Sequence, residues 1–202
     1  MNSNSNTNDS PDFLPTASIE ALKFRAQMLK QIRTFFDELG FFEVQTPILS
    51  HDTVVDRYLE PVSVPKNNIL FGSEAGAAPD QRLWLQTSPE FAMKRIMAAG
   101  AQAIYQICPA IRAGEQGGVH NPEFTMLEWY RAADDLAAGM QLLSDFVEAI
   151  FKCGPAEKFS YRQLFLKYVE LDPLSASDRE ITDLVQKLKL AAPDERLDRT
   201  MR

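Results

Sequence analysis

Two runs of alternating residues, Ala103 to Arg112 and Glu123 to Arg131, flank a loop holding three glycines, Gly114, Gly117 and Gly118. Successive side chains of a strand point to opposite faces. The second run therefore puts Phe124, Met126, Glu128 and Tyr130 on one side and Glu123, Thr125, Leu127, Trp129 and Arg131 on the other. The first run groups Gln106, Cys108, Ala110 and Arg112 in the same way. If the runs pair across the loop, a flat aromatic ring (Phe124), a phosphate-seeking guanidinium (Arg112) and an acid suited to a cationic substrate (Glu128) face one pocket. That is the layout of a nucleotide-binding hairpin. Pro109 interrupts the first run and predicts a bulge or an edge there.

Around this ribbon the sequence reads as mixed helices and strands. Ser18 is placed to cap a helix whose apolar positions Leu22, Leu29, Ile32, Phe36 and Leu39 make one stripe, with Gly40 just past its end. Phe41, Phe42 and Val44 begin an extended segment that stops at Pro47. A strand is expected near Leu59 to Val64, and GSEAGAAPDQ (72 to 81) reads as a loop. Leu83 to Leu85 lead into Ser88 as N-cap and Pro89 at the first helical position, with Phe91, Met93, Ile96 and Met97 as the buried face. Beyond Asp134 the pattern is helical: Leu136, Met140, Leu143, Val147 and Ile150 suit one stripe, Ser160 caps Leu164, Phe165 and Tyr168, and Ser177 with Glu180 makes a capping box before Leu184 and Leu188. No βαβ rhythm appears, which favours an α+β fold with an antiparallel sheet.

Composition bounds the function. Hydrophobic residues are 45% and charged ones 24% of the 202 residues, as in a soluble globular protein, and no apolar run approaches the ~20 residues that span a bilayer. The opening MNSNSNTNDSPDF reads as a disordered tail, and no signal peptide is recognisable, so a cytoplasmic location is expected. A formal charge of −7 argues against a general polyanion-binding surface. Cys108 and Cys153 have no metal-ligand spacing and read as reduced, mostly buried small hydrophobes.

LGFFEVQTPILS, from Leu39 to Ser50, is similar to motif 1 of the class II aminoacyl-tRNA synthetases, a helix, strand and proline that serve the dimer interface there. The hairpin resembles motif 2. TSPEFAMKR and HNPEFTMLEWY narrow the likeness to the lysyl-tRNA synthetase branch, and within it to short paralogues that join (R)-β-lysine to a lysine of elongation factor P. The resemblance covers roughly Ser18 to Asp172. It implies a class II synthetase-like antiparallel sheet flanked by helices: a disordered tail over 1–17, then a partial catalytic domain over 18–202 with motifs 1 and 2 and a helical insert from about 134. It also implies ATP and Mg²⁺ as cofactors, lysine or (R)-β-lysine as substrate, elongation factor P as partner and a homodimer formed through motif 1. The anticodon-binding barrel that precedes motif 1 in full synthetases has no room in the few residues before Ser18, which counts against tRNA as substrate.

Carried over residue by residue, the resemblance implies that Arg112 contacts the α-phosphate of ATP and is the catalytic residue, and that Phe124 stacks on adenine. His120 and Asn121 touch the nucleotide. Ser88, Pro89 and Glu90 hold the substrate, with Glu90 on an amino group, and Glu128 and Tyr130 position an ammonium. The residues by themselves leave plainer roles open: a strand-end salt bridge for Arg112, a solvated loop position for His120, core packing for Phe124 and Tyr130, and a helix-dipole complement for Glu90. Two departures stand out. The acid expected two residues after the motif 2 arginine is Gly114, with Glu115 one step later as a substitute nucleotide contact. Motif 3, with its glycine-rich strand and arginine-bearing helix, has no counterpart before Arg202, so the expected sheet lacks its C-terminal part. A truncated lysyl-tRNA synthetase and a non-catalytic remnant of the class remain as alternatives.

Overall fold

The computed structural model of the chain describes residues 14–66 and 82–190. Residues 1–13 of the expected tail and the expected loop at 72–81 lie outside these residues. The chain divides into two compact units, Met1–Gly154 and Pro155–Arg202.

The first unit begins with α1 (Ile19–Glu38), capped by Ser18, whose Oγ accepts from the Ala21 N–H at 3.1 Å. Such a cap contributes about 1 kcal/mol. The helix ends where Gly40 takes a φ of +77°, a left-handed conformation that a residue with a Cβ adopts only at a cost. The turn sends the chain into β1 (Phe42–Glu43), then β2 (Leu49–Ser50), β3 (Ser63–Pro65) and β4 (Arg82–Leu85). The strand expected near Leu59 to Val64 is thus shorter and begins later, Glu60 forming only an isolated bridge to Ala113. Next come α2 (Glu90–Ala98), β5 (Ala103–Ile111), β6 (Glu123–Arg131) and α3 (Leu136–Phe151).

Two three-stranded sheets result, ordered β1-β5-β6 and β2-β4-β3. Every pairing is antiparallel except β1 with β5. The α+β class read from the sequence holds. β5 and β6 pair without interruption from Ala103 opposite Arg131 to Ile111 opposite Glu123. The bulge allowed at Pro109 is absent, because the missing N–H falls on the outer side of β5, beyond the two residues that β1 pairs. That side is served instead by Gln86, whose amide donates to the Pro109 carbonyl at 2.7 Å and whose own carbonyl accepts from Ile111 at 3.0 Å.

The core lies on one face of this ribbon. Phe36 is fully buried, stacked on Tyr105 at 4.8 Å and edge-on to Phe35 and Phe41. Ile32, Leu142, Leu127, Trp129 and Phe146 complete the cluster. The offset and edge-on ring geometry is what opposed aromatic quadrupoles favour. The expected stripe of α1 is buried only at Ile32 and Phe36, with Leu22 and Leu39 exposed. On α3 the buried line runs through Leu142, with Phe146 and Ile150 packed against the core, while Leu136 and Leu143 face outward. Periodicity alone allows either line, and contact with Phe35 and Trp129 selects one. The opposite face of the ribbon receives α2, whose Met93 is fully buried and whose Phe91 is exposed. Cys108 is buried, but Cys153, just past the end of α3, is exposed, contrary to expectation; both are free thiols.

The second unit holds α4 (Tyr161–Val169) and α5 (Asp178–Lys187). Both begin with capping boxes, Ser160 with Gln163 and Ser177 with Glu180, the latter as read from the sequence. No residue of either helix is buried.

Candidate functional site

The face of the ribbon turned away from the aromatic core carries the chemistry. The strand register sets Ile104, Gln106, Cys108 and Ala110 opposite Tyr130, Glu128, Met126 and Phe124. One step beyond the ladder, the Arg112 N–H donates to the Pro122 carbonyl at 2.8 Å, which continues the pairing into the loop. Side chains directly opposite on one face of an antiparallel pair stand ~5 Å apart at Cβ. The grouping expected from alternation is therefore the one formed.

At the tip of the hairpin, Arg112, Gly114, Glu115, Gln116, Val119, His120, Asn121 and Phe124 line an open cavity of about 570 Å³. The Arg112 guanidinium lies 5.1 Å from the centre of the Phe124 ring, and its Nε donates to the Thr87 carbonyl at 3.3 Å. Arg112 Nη1 is 3.9 Å from Glu115 Oε1, a loose pair that leaves most of the guanidinium's donors free for phosphate oxygens. Glu115, one step beyond the expected acid position, does reach the cavity. Gly114 turns with φ +75°, a conformation that swings the next side chain back toward Arg112. His120 and Asn121 line the cavity but are exposed.

At the base of the hairpin the arrangement is tighter. Ser88 Oγ donates to Glu128 Oε2 at 2.7 Å, and Tyr130 OH donates to Glu128 Oε1 at 2.5 Å. Ser88 Oγ also accepts from the Glu90 N–H at 3.1 Å, so one hydroxyl joins the start of α2 to the Glu128 carboxylate. The helix begins at Glu90, with Pro89 rather than Ser88 in the N-cap position. The sequence places that boundary one residue early, and Ser88 still receives a free N–H of the first turn. Pro89 is fully buried and has no N–H to donate. Glu90 itself pairs with Lys94 one turn on.

Burial, the hydrogen bond to Glu128 and the charges of Glu128 and Glu90 together push the Tyr130 hydroxyl far above its ordinary value of 10.0. It is a donor at any neutral pH. Glu128 has no Lys, Arg or His within ion-pair range among the described residues, only these two neutral donors. A half-buried carboxylate so placed favours a cationic ligand.

Several residues of this site were not singled out by sequence reasoning. Gln86 and Thr87 are buried at the exit of β4 and pin that segment across β5; Thr87 Oγ1 lies 3.3 Å from Thr53 Oγ1. Gln106 is buried opposite Glu128 and donates to Thr46 Oγ1 at 3.0 Å. The one signal available was polar residues within apolar runs, at Gln86 after Leu85 and at Gln106 after Tyr105.

The residues fit a nucleotide, through a ring and a guanidinium at one cavity, better than they fit a metal. No group of three or more His, Cys, Asp or Glu side chains able to hold a metal ion occurs among the described residues. None of the described helices is long and apolar enough to cross a membrane.

Comparison with known proteins bears on this geometry. The profile of the family described as tRNA synthetases class II (D, K and N) matches residues 10–199. Among curated proteins, the elongation factor P–(R)-β-lysine ligase of Erwinia tasmaniensis is 43% identical over 180 residues, covering 89% of this chain and 54% of that protein. The chain thus spans about half the length of the curated relative it matches.

Proposed function

This chain belongs to the class II tRNA synthetase family, and we propose that it takes part in ATP-dependent activation of (R)-β-lysine or lysine and in ligation of the activated acid to a lysine of elongation factor P. The observation that carries the reading is Glu128, held by Ser88 and Tyr130 and lacking a cation, beside Glu90 and on the same face as Arg112 and Phe124.

In the first step a carboxylate oxygen of the amino acid attacks the α-phosphorus of ATP. A P–O bond forms, the bond to the β-phosphate bridge breaks, and pyrophosphate leaves with the electron pair. Arg112 stabilises the charge that builds on the phosphoryl oxygens, which its planar fork of N–H donors does better than a point charge. Phe124 offers its ring to adenine, while Glu115, His120 and Asn121 line the nucleotide's side of the site. Glu128, with Ser88 and Tyr130 as its supports, holds one ammonium of the diamino acid and Glu90, next to the buried Pro89, takes the other. In the second step the acceptor amine attacks the carbonyl of the mixed anhydride, AMP departs, and the amine's proton passes to solvent. No nucleophile from the protein is needed, so catalysis rests on positioning and electrostatics. Among the described residues no group of three or more His, Cys, Asp or Glu side chains is placed to hold Mg²⁺.

A cytoplasmic location and a homodimer formed through motif 1 belong to the same proposal. The exposed apolar side chains of Ile19 and Leu22, one turn apart on α1, support a covered helix face.

ATP–pyrophosphate exchange with lysine and with (R)-β-lysine, followed by transfer to purified elongation factor P, tests the reading. Exchange that depends on the diamino acid, with transfer to the protein and none to tRNA, is the expected result. Gly114 at the place of the expected acid favours a second reading, a non-catalytic remnant. A folded sample with no exchange on either amino acid would establish that reading instead.

A further inference from the structure

We infer that the amide oxygen of Gln106 is a recognition element of the diamino acid site, accepting a hydrogen bond from the ammonium that Glu128 binds; the inference rests on the reading of Glu128 as an ammonium acceptor. Gln106 is 1% exposed and lies directly opposite Glu128 in the β5–β6 register. Its Nε2 donates to Thr46 Oγ1 at 3.0 Å, which orients the amide, and its Oε1 is buried without a partner. It is the one buried side-chain oxygen or nitrogen in that condition among the described residues. Buried acceptors are almost always paired, so this oxygen calls for a donor, which a bound ammonium can supply.

The neighbours on that face cannot complete it. Ile104 and Met126 are apolar, Cys108 interacts with Gln106 through its sulfur without giving Oε1 a partner, and both Ser88 and Tyr130 spend their protons on Glu128. An ammonium carries three N–H donors and no acceptor. The two oxygens of Glu128 each take one hydrogen bond from the protein and keep a free lone pair, so they serve one or two of those donors. An acceptor on the residue opposite Glu128 serves another. An amino acid with an alkyl end in place of the ammonium leaves both Glu128 and Gln106 unmatched. Sites with buried polar groups reject such analogues strongly.

Two variants of the full protein test this in ATP–pyrophosphate exchange, each against lysine, (R)-β-lysine and ATP. Gln106→Met keeps an unbranched side chain of similar size and removes the acceptor. The KM for the preferred diamino acid should rise about tenfold, with the KM for ATP unchanged. A purely structural glutamine would instead lower the melting temperature and leave that KM alone, which overturns the inference. Gln106→Glu restores an acceptor and should return the KM to the parental value or below it. A raised KM for the diamino acid in Gln106→Glu overturns the inference too, and this holds even if Gln106→Met does not fold. If the parental protein supports no exchange with either diamino acid, the reading of the site fails and the inference falls with it. An active parent with an unmoved Gln106→Met refutes Gln106 alone.

Discussion

The two ends of the β5–β6 hairpin are built on opposite principles. At the tip, the cavity wall is a glycine-bearing loop whose His120 and Asn121 stand in solvent and whose Arg112 is held by one carbonyl and one distant carboxylate. At the base, every oxygen of Glu128 has a donor, Tyr130 cannot ionise near neutral pH, and Ser88 ties the acid to α2. A site that must grip a small, charged amino acid gains from groups fixed in advance, since less freedom is lost on binding. A site that must admit a large triphosphate and release pyrophosphate gains from an open wall and a guanidinium with donors to spare. The same ribbon supplies both because Ser88, just before α2, fixes Glu128 on the strand, while the cavity wall at the tip is made mostly of the loop that joins β5 and β6.

The contrast predicts separable losses. Arg112→Ala should show the largest effect: a fall in pyrophosphate exchange on the order of 10²- to 10³-fold, seen in kcat, with the KM for the diamino acid little changed. If that KM moves as much as kcat, tip and base are not distinct subsites. Glu128→Gln comes next. Loss of a charged partner for an ammonium should raise the KM for the diamino acid by roughly ten- to a hundredfold and leave the KM for ATP in place. Steady-state kinetics with each substrate varied in turn separates the two cases.

The smaller effects concern stability. Gly114→Ala meets no atom within 4 Å, but it forces a Cβ into φ +75°. It should cost about 1 kcal/mol in denaturant unfolding, through backbone strain at the tip alone. The smallest effect sharpens the picture of the base. Tyr130 and Tyr105 hold their protons above the ordinary tyrosine value of 10.0, chiefly through burial and then through bonds to Glu128 and Asp37. Above pH 10 the unfolded chain loses those protons while the folded chain keeps them. Stability should therefore be flat with respect to these groups through neutral pH and decline as pH rises past 10. Tyr130→Phe should make that decline shallower, and a slope equal to the parent's would mean that Tyr130 is not held as described.

Legibility followed the range of the interactions. The caps at Ser18, Ser160 and Ser177, the turn at Gly40 and the two-faced alternation of β5 and β6 are local, and each could be read from neighbours in sequence. The stripe of α3 was misplaced because Leu143 and Leu142 differ by one step of the helix, and only contact with Phe35 and Phe36 of α1 and with Trp129 of β6 chooses between them. Cys153 was expected inside because free cysteine often is, but it sits after the left-handed end of α3 at Lys152, where the chain has left the core. Gln86, Thr87 and Gln106 gave little sign of importance, since their partners lie 23, 34 and 60 residues away.

What the sequence determined by itself was the ribbon and its sidedness. Period two, a glycine-bearing turn and the order of Arg112, Phe124, Glu128 and Tyr130 leave one way for those groups to share a face. What only the tertiary structure decided was which neutral donors meet Glu128 and which acceptor is left alone at Gln106. Those outcomes depend on how α2 and β1 approach the ribbon, and that approach is set by burial of Phe36, Tyr105 and Met93, side chains that answer to volume and not to sequence neighbours.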